Sequence, residues 1–312
     1  MKIVVLGGTG FVGRNVTEAL LEAQIDCVSF GRAACDLRDQ SATERLFKKE
    51  RPEIIINCAA HVGSLNYVTQ QAADVISDNT RMTLAMYEAA VKSAPEALII
   101  NPIANCAYPD KTDTFVETEW WNGHLHRSVL SYGATRRMLW AVAESFQMQH
   151  GIRSIHLLVP NMYGPFDSTD PNKAHALNAL VSKFVKAKRE NHDMVEIWGT
   201  GVAIREWLYA KDFGKIVRQI IKDLSMVGLA EPLNIGQNFG LSVRELVELI
   251  VTSLGFKGEV RYDDSKPDGA PRKVMDDRRF RKVFPKFEFS RLSEGIESTA
   301  KYYDSVYPYP GV

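Results

Sequence analysis

The sequence lacks an excess of either charge, a long apolar run and a paired set of cysteines, and each shortage removes a class of function. Lysine plus arginine (38) equals aspartate plus glutamate (38). No global field therefore draws the chain to nucleic acid or to an anionic membrane, and an anionic ligand has to be held by charges placed locally. No apolar stretch approaches the roughly 18 residues of a membrane span. A strand-like run begins at Ile3, which leaves no room for a leader segment, so a cytoplasmic chain is expected. The four cysteines, Cys27, Cys35, Cys58 and Cys106, do not have metal-site spacing, and no metal is expected. Three of them read as buried small hydrophobes; Cys106 is set apart below. Repeats and low-complexity segments are missing too.

What is present is an alternation of short apolar runs with longer helical patterns. Ile3 to Leu6, Asp26 to Phe30, Ile54 to Cys58 and Ala97 to Asn101 read as strands. Helical patterns separate them, ending near Ala23, across 41–48 and across 80–92. A further helix over 131–150 and a strand over 154–159 continue the series. This order predicts an α/β fold of Rossmann type, a doubly wound parallel sheet with helices on both faces. After Tyr163-Gly164-Pro165 the regularity ends. Residues 1–165, with later strands from about 195–240, are expected to form the dinucleotide-binding domain, and 166–312 mainly a smaller C-terminal substrate-binding lobe.

The turn after the first strand reads Gly7-Gly8-Thr9-Gly10-Phe11-Val12-Gly13, and a helix starts at once. Such a turn lets backbone approach a pyrophosphate, with helix N–H groups aimed at the anion. The residues after the second strand are Gly31-Arg32, where an acid would favour NAD and an arginine a 2′-phosphate. NADP(H) is therefore the expected cofactor, with Asp36-Leu37 lining the adenine pocket. Tyr132 and Arg136, at i and i+4 of a helix, share one face and can reach one pocket.

Several motifs occur together with this pair: Ala59-Ala60-His61-Val62-Gly63, Cys106-Ala107-Tyr108-Pro109, Asn161-Met162-Tyr163-Gly164-Pro165 with His175, Trp198-Gly199-Thr200-Gly201 with Arg205-Glu206, and Lys266-Pro267-Asp268-Gly269-Ala270-Pro271-Arg272-Lys273. With them the chain resembles the extended short-chain dehydrogenase/reductase family over nearly its whole length. Within that family it is similar to the GDP-L-fucose synthase group, NADP-dependent epimerase/reductases of a GDP-linked 4-keto-6-deoxy sugar. The resemblance implies that Tyr132 donates a proton to the C4 carbonyl oxygen, and that Cys106 and His175 form the acid/base pair for epimerisation. It adds Ala59, Ala60, Asn161 and Met162 to the cofactor contacts, and makes Lys183, Trp198, Arg205, Lys266 and Asp268 contacts to the GDP-linked keto-sugar. It also implies a homodimer through two helices, with those over 80–92 and 131–150 as the candidates.

The chain departs from the family's pattern at the reducing centre. Arg136 stands where lysine is expected, and Ala104-Asn105 where serines are expected. Arginine keeps the charge but has a planar fork and too high a pKa to relay protons. Asn105 offers an amide in place of a hydroxyl, and Lys183 replaces the usual arginine. These changes leave two other readings open: a nucleotide-sugar epimerase without net redox, and a non-catalytic nucleotide-sugar-binding homologue.

Overall fold

The structure, a computed structural model, describes residues 1–112, 114–226, 231–266 and 268–309. The first half runs β1 (Ile3–Leu6), α1 (Phe11–Glu22), β2 (Cys27–Phe30), α2 (Gln40–Glu50), β3 (Ile54–Asn57), α3 (Leu65–Gln70), α4 (Ala72–Ser93), β4 (Leu98–Ala104), α5 (Leu130–His150), β5 (Arg153–Val159) and β6 (Asn161–Tyr163). The second half runs α6 (Ala176–Arg189), β7 (Met194–Trp198), β8 (Ile204–Arg205), β9 (Trp207–Tyr209), α7 (Ala210–Lys222), β10 (Leu233–Asn234), β11 (Leu241–Ser242), α8 (Val243–Leu254), β12 (Glu259–Asp263), β13 (Arg272–Lys273), α9 (Arg278–Val283) and α10 (Leu292–Ser305).

Six strands form one parallel sheet in the order β10-β5-β4-β3-β1-β2. The strands are short and β-branched, and β1 and β3 are buried at every position, as expected of a sheet covered on both faces. Alternation divides β1 between two cores. Ile3 and Val5 face the core shared with Val16 and Leu20 of α1 and Phe213 and Ile216 of α7; Val4 and Leu6 face Phe47 of α2 and Met86 of α4. Chain order reverses on either side of β1, so a ligand crevice opens at the C-terminal ends of β1 and β3.

Among the described residues of the segment 195–240, only β10 joins this sheet. The strands β7 and β12 pair with each other, β8 lies between β11 and β13, and β9 pairs with β6. A third core, built by α6, α8 and α10 against β7 and β9, holds these pieces together. The C-terminal part also returns to the main domain, where Phe280, Phe284 and Phe287 pack into the α1/α7 core.

Of the cysteines only Cys35 is buried. Cys27 and Cys58 are half-buried, because Cys58 sits just past β3 at the crevice rather than under it.

His156, in the middle of β5, is 1% exposed, and neither ring nitrogen has a hydrogen-bond partner in the structure. Burial pushes its pKa down to about 3. Between that value and the ordinary 6.5 the unfolded chain binds a proton that the folded chain refuses. Folding stability is therefore fully present above pH 6.5 and is lost as pH falls toward 3. His156→Leu should flatten the fall in melting temperature between pH 6.5 and 4.5; an unchanged slope would assign the acid sensitivity to other groups.

Candidate active site

The crevice is shaped by glycines. A Cβ on Gly13 would meet the Gly7 carbonyl oxygen at 2.2 Å, and one on Gly7 would meet the Ala59 backbone at 2.7 Å, at a φ of +71°. The turn therefore closes onto the start of α1 and onto the strand beyond only without side chains. Beside it lies a cavity of about 260 Å³, lined among others by Gly7, Thr9, Gly10, Arg32, Asp36 and Ala59. Leu37, Ala60 and Cys58 line it as well. Here the donor set fits a dinucleotide: backbone N–H groups for a pyrophosphate, and Arg32, its side chain 73% exposed, at the ribose end. Hydrogen bonds from Arg38 hold the Asp36 carboxyl down at about 2, and Arg38 also reaches Asp78 at 3.2 Å. Asp78 in turn meets His61 Nδ1 at 2.9 Å, which fixes the loop after β3.

Gly8, Phe11, Val12 and Gly13 do not line this cavity; they build the turn behind it. Phe11 and Met162 are core residues. Met162 thus offers no side chain to a cofactor. On β6 it points opposite to Asn161 and Tyr163, since neighbouring strand residues face opposite ways. Asn161 faces the second cavity described below and donates Nδ2 to the Glu206 carbonyl at 3.3 Å.

The residues expected to form the reducing centre lie where β4 ends. A single 3-10 turn, Asn105–Ala107, follows β4 directly and places Cys106 at the strand's C-terminal end. The first turn of α5 presses against it: a Cβ on Gly133 would lie 2.5 Å from the Cys106 carbonyl oxygen. Tyr132 is thereby set beside Cys106. Arg136 lies over the Tyr132 ring with its guanidinium carbon 5.0 Å from the centroid, as the i, i+4 spacing requires. Only 4% exposed, it donates Nη2 to Asn79 Oδ1 at 3.0 Å, while its Nε has no partner in the structure. Asn105 is 8% exposed, and its side-chain amide makes no hydrogen bond among the described residues.

Burial pushes the Tyr132 phenol up, against the pull of Arg136 and with a further push from Cys106. Burial also pushes the Cys106 thiol up to about 11, although Arg136 and Lys273 pull it down. Both groups hold their protons at neutral pH. Lys273 on β13 was quoted above only as part of a motif. It is half-buried, its amine makes no hydrogen bond or ion pair among the described residues, and its pKa is lowered first by burial and then by Arg205, while the Cys106 thiol and Asp110 act in the opposite sense.

His175 is the N-cap of α6, and its ring lies 5.3 Å from that of Phe11 in the glycine turn. Its next neighbour, Ala176, lines a second cavity of about 700 Å³ between α6 and β7. His175, like Tyr132 and Cys106, lines neither of these two cavities. Asp167, which sequence reasoning missed, is 4% exposed and meets His175 Nδ1 at 3.0 Å. Its place directly after Tyr163-Gly164-Pro165-Phe166 was the available signal.

Lys183, Trp198, Arg205 and Asp268 all line the larger cavity. Lys183 donates Nζ to the Glu196 carbonyl, and burial lowers its pKa. Arg205 donates to the carbonyls of Ile204 at 2.8 Å and Asp268 at 3.3 Å; burial lowers its pKa, and the charge of the Asp268 carboxylate opposes that shift. The Asp268 carboxylate accepts from the Thr200 backbone N–H and hydroxyl, which ties Asp268 to the turn that follows β7. Trp198 is 69% exposed, with the Lys266 ammonium 5.8 Å from its ring. Pro267 of that motif lies outside the described residues.

Residues 3–236 match the NAD dependent epimerase/dehydratase family. The chain belongs to this family. Among curated relatives, it is 31% identical to "Probable GDP-L-fucose synthase 1" of Oryza sativa subsp. japonica over 97% of this chain and 92% of that protein. It is 30% identical to "GDP-L-fucose synthase" of Sinorhizobium fredii over 89% of this chain and 88% of that one. The fold is also that of a GDP-L-fucose synthetase from Naegleria fowleri solved bound to NADP: TM-score 0.86 at 24% identity, covering 98% of this chain and 94% of the other. The parallel sheet with its flanking helices is the fold of this epimerase/dehydratase family.

Proposed function

We propose that the chain is an NADP-dependent epimerase/reductase of a GDP-linked 4-keto-6-deoxy hexose, forming GDP-L-fucose or a close relative of it. The observation that supports this reading is the close approach of the first turn of α5, at Gly133, to the Cys106 turn, which in this reading brings the reducing group Tyr132 near the epimerising group Cys106. Bound NADPH would supply two electrons and one hydrogen to C4. The glycine turn would hold its pyrophosphate, and Arg32 its 2′-phosphate. Tyr132, protonated at neutral pH, gives the proton that the C4 oxygen needs. Arg136 is pinned by Asn79, so it acts by charge on the phenol and on a developing oxyanion rather than by passing a proton. Cys106 and His175 exchange the acidic proton next to the ketone, one taking it and the other returning it from the opposite face.

Arg205 and Lys183 supply the cations for the diphosphate in the larger cavity. Removing a charge-assisted hydrogen bond costs about 1.5–3 kcal/mol, or roughly 10–100-fold. Arg205→Ala should raise KM for the GDP-sugar by about that factor and leave kcat within a few-fold. An unchanged KM would take the diphosphate away from Arg205.

We further propose that two copies pair through α4 and α5, where Ile76, Leu84, Leu130 and Met148 are exposed, and that the protein works in the cytoplasm, where its four free thiols stay reduced. The function is tested by incubating the protein with NADPH and GDP-4-keto-6-deoxy-D-mannose in heavy water. NADPH loss with deuterium in the sugar is expected.

A further inference from the structure

We infer that Asp167 is a positioning residue for His175, fixing the imidazole so that Nε2 is the nitrogen that exchanges protons with a bound ligand. For its kinetic arm this rests on the role proposed above for His175; for its structural arm it does not.

The loop between β6 and α6 gives the Asp167 carboxylate no freedom. Oδ1 meets His175 Nδ1 at 3.0 Å, while Oδ2 accepts from the His175 backbone N–H at 2.8 Å and from Asn178 Nδ2 at 2.7 Å. Asn178 is itself held, since its Oδ1 accepts from the Gly164 N–H at 3.0 Å. From behind, the Tyr302 hydroxyl of α10 donates to the Asp167 carbonyl at 3.4 Å, and that of Tyr303 to the Ser168 carbonyl at 3.0 Å. A carboxylate fixed by three donors selects the tautomer with hydrogen on Nδ1 and leaves Nε2 with its lone pair. Nε2 makes no hydrogen bond among the described residues, and Phe11 packs against the ring.

Asp167 is the charged group that acts on His175; Tyr302, which faces Asp167, lies near Arg14. Burial alone would lower the imidazole pKa, but the charge and hydrogen bond of Asp167 overcome it and raise the value above 6.5. Burial likewise opposes ionisation of Asp167, and its bonds to His175 and Asn178 bring its pKa below the usual range.

The test is an NMR titration of the His175 ring in the wild-type protein and in Asp167→Asn, with the resonance assigned by its loss in His175→Asn. Wild-type His175 should titrate above 6.5, with nitrogen shifts of the Nδ1–H form. In Asp167→Asn its proton affinity should fall at least tenfold, moving the midpoint down by one pH unit or more. In the heavy-water assay, the limb of the pH profile for deuterium uptake that reports His175 should move to lower pH by the same amount. KM for the keto-sugar should stay within twofold.

Equal titration in the two proteins overturns the inference. If the titration moves but even the wild-type protein takes up no deuterium, the pairing stands and the proposed function fails. Should Asp167→Asn not fold, the wild-type value decides: titration at or below 6.5 overturns the inference, and titration above it supports it.

Discussion

Tyr132→Phe is expected to slow C4 reduction by about 10²–10⁴-fold, the usual worth of a positioned general acid, while deuterium uptake next to the ketone continues within a few-fold of its normal rate. The split follows from the division of labour. Tyr132 has the phenol that stays protonated beside the Cys106 turn, whereas in the proposed mechanism proton exchange falls to Cys106 and His175. Losing the hydroxyl removes one oxygen and keeps the ring over which the Arg136 guanidinium lies at 5.0 Å. Packing and cofactor binding should therefore survive. NADPH oxidation followed at 340 nm and deuterium followed by mass spectrometry report the two steps separately. Reduction at an undiminished rate would remove Tyr132 from its role.

Gly133→Val should lower both steps together, by about 10² or more. Its Cβ alone would lie 2.5 Å from the Cys106 carbonyl oxygen, and that neighbour is backbone with little room to give. The first turn of α5 must then move away from the 3-10 turn, which shifts Tyr132 and Cys106 relative to each other. A displacement of about 1 Å in a reacting geometry is worth roughly 100-fold, with overpacking costing about 1–3 kcal/mol of stability. The joint loss separates Gly133→Val from Tyr132→Phe. A melting temperature a few degrees lower with both activities intact would show that α5 and the Cys106 turn do not need this contact.

Local pattern made the sheet domain legible. Apolar runs of four residues, helices between them and the glycine turn are consequences of nearest neighbours, and the strands fell within a few residues of their expected positions. The i, i+4 relation of Tyr132 and Arg136 was legible for the same reason. Partnerships across the chain were not. Asp167 meets His175 through an irregular loop with no periodicity, and Lys273 reaches the Cys106 turn from a two-residue strand that owes its position to β8. Strand alternation sends the Met162 side chain into the core, which the motif by itself did not foretell. Trp198, one of the expected sugar contacts, lines the larger cavity but is mostly exposed, so its contact depends on a ligand lying across it.

The arginine in place of lysine has a physical answer in its surroundings. Asn79 holds both the backbone of His61 and the guanidinium of Arg136, at 3.1 and 3.0 Å. Arg136 thus links α5 to α4 and, through His61, to the loop that follows β3 at the crevice. Its charge is fixed near the phenol, which is what stabilising a developing oxyanion requires.

In the proposed function one site carries out both epimerisation and reduction. The most direct test is a single incubation of the wild-type protein with NADPH and freshly prepared GDP-4-keto-6-deoxy-D-mannose in heavy water, reading absorbance at 340 nm and deuterium at the sugar carbons flanking the ketone. Stoichiometric NADPH loss with deuterated, reduced product is the result predicted here. Deuterium uptake without NADPH loss would contradict it, and would leave a nucleotide-sugar epimerase whose reducing centre has fallen silent with Arg136 and Asn105.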